Sequence, residues 1–143
     1  MDSRARAVWR GNLAEGSGET ILASGVAGPL PVSWAGRTET ANGNTSPEEL
    51  IAAAHAACYS MALSGGLTRA GTPPTTLETA AVASFEKTDA GWRLTRMDLS
   101  VVGEVEGIDD AAFQTAAIAA RDGCPVSNAL KGNVEISVKA SLR

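Results

Sequence analysis

An α+β fold is what this chain of 143 residues predicts, and three observations predict it. Short alternating strands open the sequence, one long apolar helix begins at Ser46, and a hairpin, a helix pair and an alternating closing strand follow. Strands and helices are segregated, with no repeating βαβ unit, no internal repeat and no low-complexity tract, so a parallel doubly wound sheet is excluded.

The elements follow in order. Arg4 to Arg10 sets Ala5, Ala7 and Trp9 against Arg4, Arg6, Val8 and Arg10, the period of a half-buried strand. Two further strands are predicted over Glu19 to Val26 and Leu30 to Ala35. The polar stretch between Gly36 and Ser46 reads as a loop of about ten residues, long enough to carry function. Ser46-Pro47-Glu48-Glu49 is a helix start: a serine cap, proline at the first helical position and a glutamate three residues after the cap. The body to about Leu67 is apolar or small on nearly every face, which predicts a helix buried all round. A membrane span is the rival reading, and His55, Ser60, Ser64 and the pair Gly65-Gly66 count against it.

Beyond Pro73-Pro74, Thr76 to Glu86 and a strand from Trp92 form a hairpin through Asp89-Ala90-Gly91. The apolar phase of the second strand slips by one residue, from Trp92 and Leu94 to Met97, Leu99 and Val101, and a bulge near Thr95 accounts for it. Asp109 caps a helix with Ala112, Phe113, Ala116, Ala117 and Ala120 on its apolar face, and Asp122-Gly123 stops it. Another helical segment restarts at Pro125. Val134, Ile136, Val138, Ala140 and Leu142 then alternate as a closing strand.

Residues 1–143 are read as a single domain, large enough to bury roughly two thirds of its unfolded surface. Net charge is −4, with basic residues scattered along the chain, so no footprint for a nucleic-acid partner is present. The first residues carry Arg4, Arg6 and Arg10 but no apolar run of a signal peptide. The chain is accordingly read as cytoplasmic, with no membrane partner.

Two cysteines, Cys58 and Cys124, are too few for a disulfide scaffold and too far apart for a CxxC pair or a zinc ribbon. They are either inert buried thiols or a redox pair. Cys58 lies about three turns into the apolar helix, where the helix dipole does little for it and burial raises its pKa. Reactivity there requires a cation alongside, and the candidate is Arg37 in the preceding polar segment, since a guanidinium stays charged on burial. Cys124, between Asp122-Gly123 and Pro125, stands at the cap of a short helix whose unpaired N–H groups can stabilise a thiolate. A plain capping role is equally open to it.

The stretches SPEELIAAAHAACYSMAL (residues 46–63) and GCPVSNALK (residues 123–131) together resemble the two cysteine motifs of the OsmC/Ohr family, osmotically inducible and organic hydroperoxide resistance proteins, with the segment carrying Arg37 placed as in the OsmC branch. The resemblance runs through nearly the whole chain. It implies an OsmC-like fold, antiparallel sheets packed around a long buried central helix in an intertwined dimer. It also implies a cysteine peroxidase in which Cys58 attacks the hydroperoxide, Cys124 resolves the product as a disulfide, and Arg37 with Glu48 sets the thiolate. Glu48, directly after the motif proline, is preferred to Glu49. No cofactor or metal is implied. The partners implied are a small hydroperoxide, a dithiol reductant of lipoyl-protein or thioredoxin type, and a second copy of the chain.

Ten residues of straight helix separate Glu48 from Cys58, a rise of roughly 15 Å. Glu48 therefore serves Cys58 either through a bent arginine or from a second copy with its helix antiparallel, and the intertwined dimer that the resemblance implies makes the second the expectation. The resemblance favours organic peroxides, with Tyr59, Met61, Leu63 and Phe113 as a candidate pocket or simply core. Rival readings are a metal site from His55, Cys58 and Cys124, against which His55 reads as a satisfied core residue, and a redox sensor that uses the thiol pair without turnover.

Overall fold

The computed structural model describes residues 1–143, which form ten elements. Strands β1 (Ala5–Arg10), β2 (Ser17–Leu22) and β3 (Leu30–Ser33) precede a short helix α1 (Trp34–Thr38) and the long helix α2 (Pro47–Arg69). After these come β4 (Thr76–Thr88), β5 (Gly91–Glu104), α3 (Asp110–Gly123), α4 (Pro125–Leu130) and β6 (Glu135–Leu142). The chain divides into two compact units, Met1–Leu50 and Ile51–Arg143.

In the first unit, β1, β2 and β3 form an antiparallel meander in sequence order. β2 ends at Leu22, short of the predicted Val26, because the chain turns through Gly25 in the left-handed conformation at φ +71°. β3 also ends early, since the Ser33 hydroxyl accepts the Gly36 N–H at 3.0 Å and so caps a turn of helix where strand and loop were expected. Arg37 therefore sits on α1. The predicted start of α2 holds: Ser46 Oγ accepts the Glu49 N–H at 3.0 Å. The reciprocal half of the capping box is replaced by a contact in which Thr45 donates to the Glu49 carboxylate at 2.6 Å.

In the second unit, sheet order is β4-β5-β6. β4 and β5 are antiparallel, whereas β5 and β6 run parallel, so this sheet is mixed rather than purely antiparallel as expected. The helix pair α3–α4 supplies the crossover that a parallel neighbour requires. Ser84 faces Arg96 and Phe85 faces Leu94, which leaves Thr95 as the extra residue of the bulge that the slipped alternation predicted. The hairpin reverses through Asp89 and Ala90 into Gly91 at φ +98°, a conformation that glycine adopts without steric cost.

One stripe of α2 builds the core. Tyr59, Leu63 and Leu67, four residues apart, pack with Leu99 and Val101 of β5 and with Phe113 and Ala120 of α3. Asp109 Oδ1 accepts the Ala112 N–H at 2.8 Å and starts α3 so that Phe113 lies over Gly103, where any Cβ would stand 2.5 Å from the ring. The Tyr59 hydroxyl donates to the Ala117 carbonyl at 3.1 Å, and burial pushes its pKa up to about 12. Gly65-Gly66 does not stop the helix, which continues to Arg69 because Leu67 completes the buried stripe.

Burial all round is not what the single chain shows. Ala53, Ala54, Ala57 and Met61 lie exposed, Met61 at 69%. By length and composition alone α2 could cross a membrane, and its buried stripe is instead used against β5 and α3.

Candidate functional site

The first unit contributes an ion pair. The Arg37 guanidinium grips the Glu48 carboxylate with two nitrogens, Nη2 to Oε1 at 2.6 Å and Nε to Oε2 at 3.0 Å. Such a two-point fork fixes the plane of the guanidinium as well as its charge. Glu48 is 7% exposed, whereas Glu49 is exposed and held by Thr45, so Glu48 is the carboxylate that orients the arginine. Arg37 also lies over the Trp34 ring, 5.8 Å from its centroid. Beside it opens an apolar cavity of about 490 Å³, walled by Trp9, Leu13, Val32, Trp34 and Leu50.

The second unit holds the sulfurs. Both cysteines are free thiols close enough to shift each other's titration, although the chain between them forms a hairpin and a helix. Cys58 is partly exposed and borders a groove of about 780 Å³ between α2 and α3, with Met61, Ala62, Ile108, Ala112 and Ala116 along it. Tyr59, Leu63 and Phe113 are fully buried core and do not line it, so of the four apolar residues considered for a pocket only Met61 does.

The two thiols are driven in opposite directions. Burial pushes Cys58 up, and the neighbouring Cys124 adds to this against a single lowering contact from the Val126 N–H. Burial acts upward on Cys124 as well, but the Ser127 N–H, the Cys58 thiol, the Ser127 hydroxyl and the Val126 N–H outweigh it and bring that thiol below its ordinary value. Its position explains the difference: Cys124 is fully buried at the N-cap of α4, where the first N–H groups of the helix converge. Within one chain, then, Cys124 is the more acidic of the two thiols.

Two polar residues near the sulfurs are buried. His55 Nε2 meets Ser127 Oγ at 2.7 Å, while His55 Nδ1 is sealed from solvent with no hydrogen-bond partner. His55 is thus a core histidine satisfied on one nitrogen only, turned to Ser127 and not toward a metal-ligand cluster. Ser127 was not singled out from the sequence. Its place as the third residue of a helix capped by Cys124 was the available signal.

Comparison with known proteins places these residues in a family. The family profile described as OsmC-like protein matches residues 40–139, a span that takes in Glu48, Cys58 and Cys124 and begins after Arg37. The chain is 42% identical over 136 residues to Peroxiredoxin OsmC of Escherichia coli K12, covering 95% of this chain and 94% of that one. The chain belongs to the OsmC family. An equal match is found to the Shigella flexneri OsmC protein. Among solved structures, organic hydroperoxide resistance protein OhrB of Bacillus subtilis superposes with TM-score 0.77 at 25% identity, covering 96% of this chain and 98% of OhrB. An organic hydroperoxide resistance protein of Elizabethkingia anophelis shares the fold with TM-score 0.76 at 23% identity, covering 98% and 96% of the two chains. The mixed α/β architecture with two sheets and one long helix is thus that of OsmC and Ohr proteins.

Proposed function

We propose that this chain is a thiol-dependent peroxidase that reduces organic hydroperoxides to alcohols in oxidative stress defence. The observation that carries the reading is the meeting of two free thiols of unequal character on one core, the partly exposed one at a groove and the buried one on a helix N-terminus. Inert core cysteines need neither the groove nor the opposed shifts. The peroxiredoxin name of the 42% identical relative supports the same chemistry.

In the proposed cycle, the Cys58 thiolate attacks the distal oxygen of ROOH and the O–O bond breaks. The alkoxide leaves and is protonated to the alcohol, and Cys58 becomes a sulfenic acid. Cys124 attacks that sulfur, the hydroxyl departs as water, and a disulfide forms. An external dithiol, lipoyl or thioredoxin-like, reopens it by exchange.

Cys58 needs a charge to ionise, because burial and Cys124 both push it up. We assign that charge to Arg37, held by Glu48, of a second copy of the chain. Two facts support the assignment. Ten residues of helix separate Glu48 from Cys58, a rise of roughly 15 Å. The apolar face of α2 around Met61 is exposed in the single chain, as a helix awaiting a partner would be. In this reading residues 1–143 serve as one domain, the working form is a homodimer, and the setting is the reducing cytoplasm. The apolar cavity beside Arg37, with two tryptophans in its wall, suits an alkyl or aryl peroxide better than hydrogen peroxide.

The experiment is consumption of cumene hydroperoxide with a dithiol reductant, wild type against Arg37→Met. Wild type is expected to turn over continuously. Arg37→Met removes the charge with little change in length, and its rate is expected to fall about a hundredfold, as for a thiol pKa rising roughly two units. A wild type without turnover rejects the peroxidase. An unaltered rate in Arg37→Met rejects the role given to the arginine.

A further inference from the structure

His55 and Ser127 stand behind Cys124 in a way the cycle above leaves unexplained. Both are buried, His55 completely, and their 2.7 Å contact joins α2 to α4 across 72 residues of sequence. A neutral imidazole carries one N–H, and burial pushes His55 below its ordinary pKa, favouring that neutral form. Were the proton on Nδ1, a sealed N–H would have no acceptor and would carry the full desolvation penalty of a buried donor. On Nε2 it leaves only an unpaired lone pair at Nδ1, a deficit that buried sites tolerate better. The hydrogen is therefore on Nε2, and Nε2–H donates to Ser127 Oγ.

A serine hydroxyl has one hydrogen. With Oγ accepting from His55, that hydrogen is left to turn toward Cys124, one helical turn back at the cap of α4, whose thiol the serine hydroxyl lowers. The opposite tautomer would draw the serine hydrogen toward the imidazole and strip the sulfur of a donor. A hydroxyl aimed at sulfur does little for a thiol and much more for a thiolate, because the bond is then charge-assisted.

We infer that His55 and Ser127 are positioning residues for Cys124: the imidazole turns the serine hydroxyl onto the sulfur, making Cys124 the attacking thiolate in disulfide closure and the leaving sulfur in its reduction. The inference rests on the peroxidase reading for its consequence, though not for its geometry. In closure, the Cys124 thiolate bonds to the sulfenic sulfur of Cys58, and the hydroxyl departs with its electron pair and takes up a proton as water. In reopening, a reductant thiolate attacks the Cys58 sulfur, and the electron pair of the broken S–S bond goes to Cys124, where the hydroxyl and the α4 N–H groups receive it. The second thiol of the reductant then frees Cys58, and the reductant leaves as its disulfide. The titratable groups facing Cys124 are Cys58 and Tyr59 of α2, with Arg121 of α3 acting on Tyr59.

The test titrates Cys124 by thiolate ultraviolet absorbance in reduced Cys58→Ala protein, where it is the only thiol. Adding Ser127→Ala or His55→Leu is expected to raise the midpoint by about one pH unit. Ser127→Thr, which keeps the hydroxyl, is expected to leave it in place. In the two-cysteine protein, Ser127→Ala is expected to lengthen the lifetime of the Cys58 sulfenic acid about threefold below the pKa, after the loss of thiolate is partly offset by its greater nucleophilicity. A midpoint unmoved in folded Ser127→Ala protein overturns the inference, and this variant decides the matter even if His55→Leu does not fold. Failure of the peroxidase reading would instead appear as a wild type whose Cys58 is not oxidised by hydroperoxide, an outcome on which the titration does not depend.

Discussion

Hydroperoxide consumption is expected to collapse in the Cys58→Ser protein, by about a thousandfold or more, because a serine hydroxyl at the same place is not ionised near neutrality and cannot accept oxygen as sulfur does. The fold should not suffer. Cys58 is only partly buried, it borders a groove, and its core neighbours on α2 are Tyr59, Leu63 and Leu67, which the substitution leaves in place. Cys124→Ser should behave differently: a first oxidation of Cys58 at near wild-type rate, then progress to irreversible acids with no partner to close the disulfide. Comparing a single-turnover burst with steady-state consumption in the two variants separates the roles. Equal turnover in Cys58→Ser and wild type would remove the basis for calling either sulfur reactive. A stoichiometric burst without turnover in wild type would instead indicate an oxidant sensor.

The largest expected loss of stability follows Phe113→Ala. The ring is fully buried, fills the space above Gly103, and joins α3 to the β5 residues that also meet α2. Deleting it removes the apolar transfer energy and leaves a cavity that a glycine beneath cannot fill, a combination that costs about 3–5 kcal/mol. That is a large share of the total stability of a domain of this size. Thermal and urea unfolding followed by circular dichroism should show a markedly lower midpoint. A loss under about 1 kcal/mol would mean that α3 is not anchored through this ring. Because α3 leads directly into the Cys124 cap of α4, the same variant should also loosen the approach of the two sulfurs.

Local chemistry was legible from the residues alone. Ser46 and Asp109 cap helices as their side chains predict, the slip from Leu94 to Met97 marks the bulge at Thr95, and the closing alternation from Ile136 to Leu142 is a strand. What depended on distant partners was not. The parallel pairing of β6 with β5 follows from where α3 and α4 carry the chain, and nothing within β6 encodes direction. Gly65-Gly66 has the composition of a helix stop, yet the burial of Leu67 on the far side offsets the helix-breaking tendency of glycine. Arg37 was placed in a loop because a cap by Ser33 over a tryptophan and a glycine is a weak signal. At the candidate site the cysteines were legible from their motifs and settings. Ser127 was not, because its contact with His55 spans most of the second unit.

Whether Cys58 and Cys124 are chemical partners can be measured without assuming a reductant, an oligomer or a turnover number. Reduced protein is treated with a single equivalent of cumene hydroperoxide, quenched with an alkylating agent and mapped by mass spectrometry. A peptide pair joined through Cys58 and Cys124 within one chain, lighter by two hydrogens and produced in step with the alcohol, is the predicted result. Recovery of both cysteines alkylated, or of Cys58 as sulfinic acid with Cys124 still a free thiol, would contradict it.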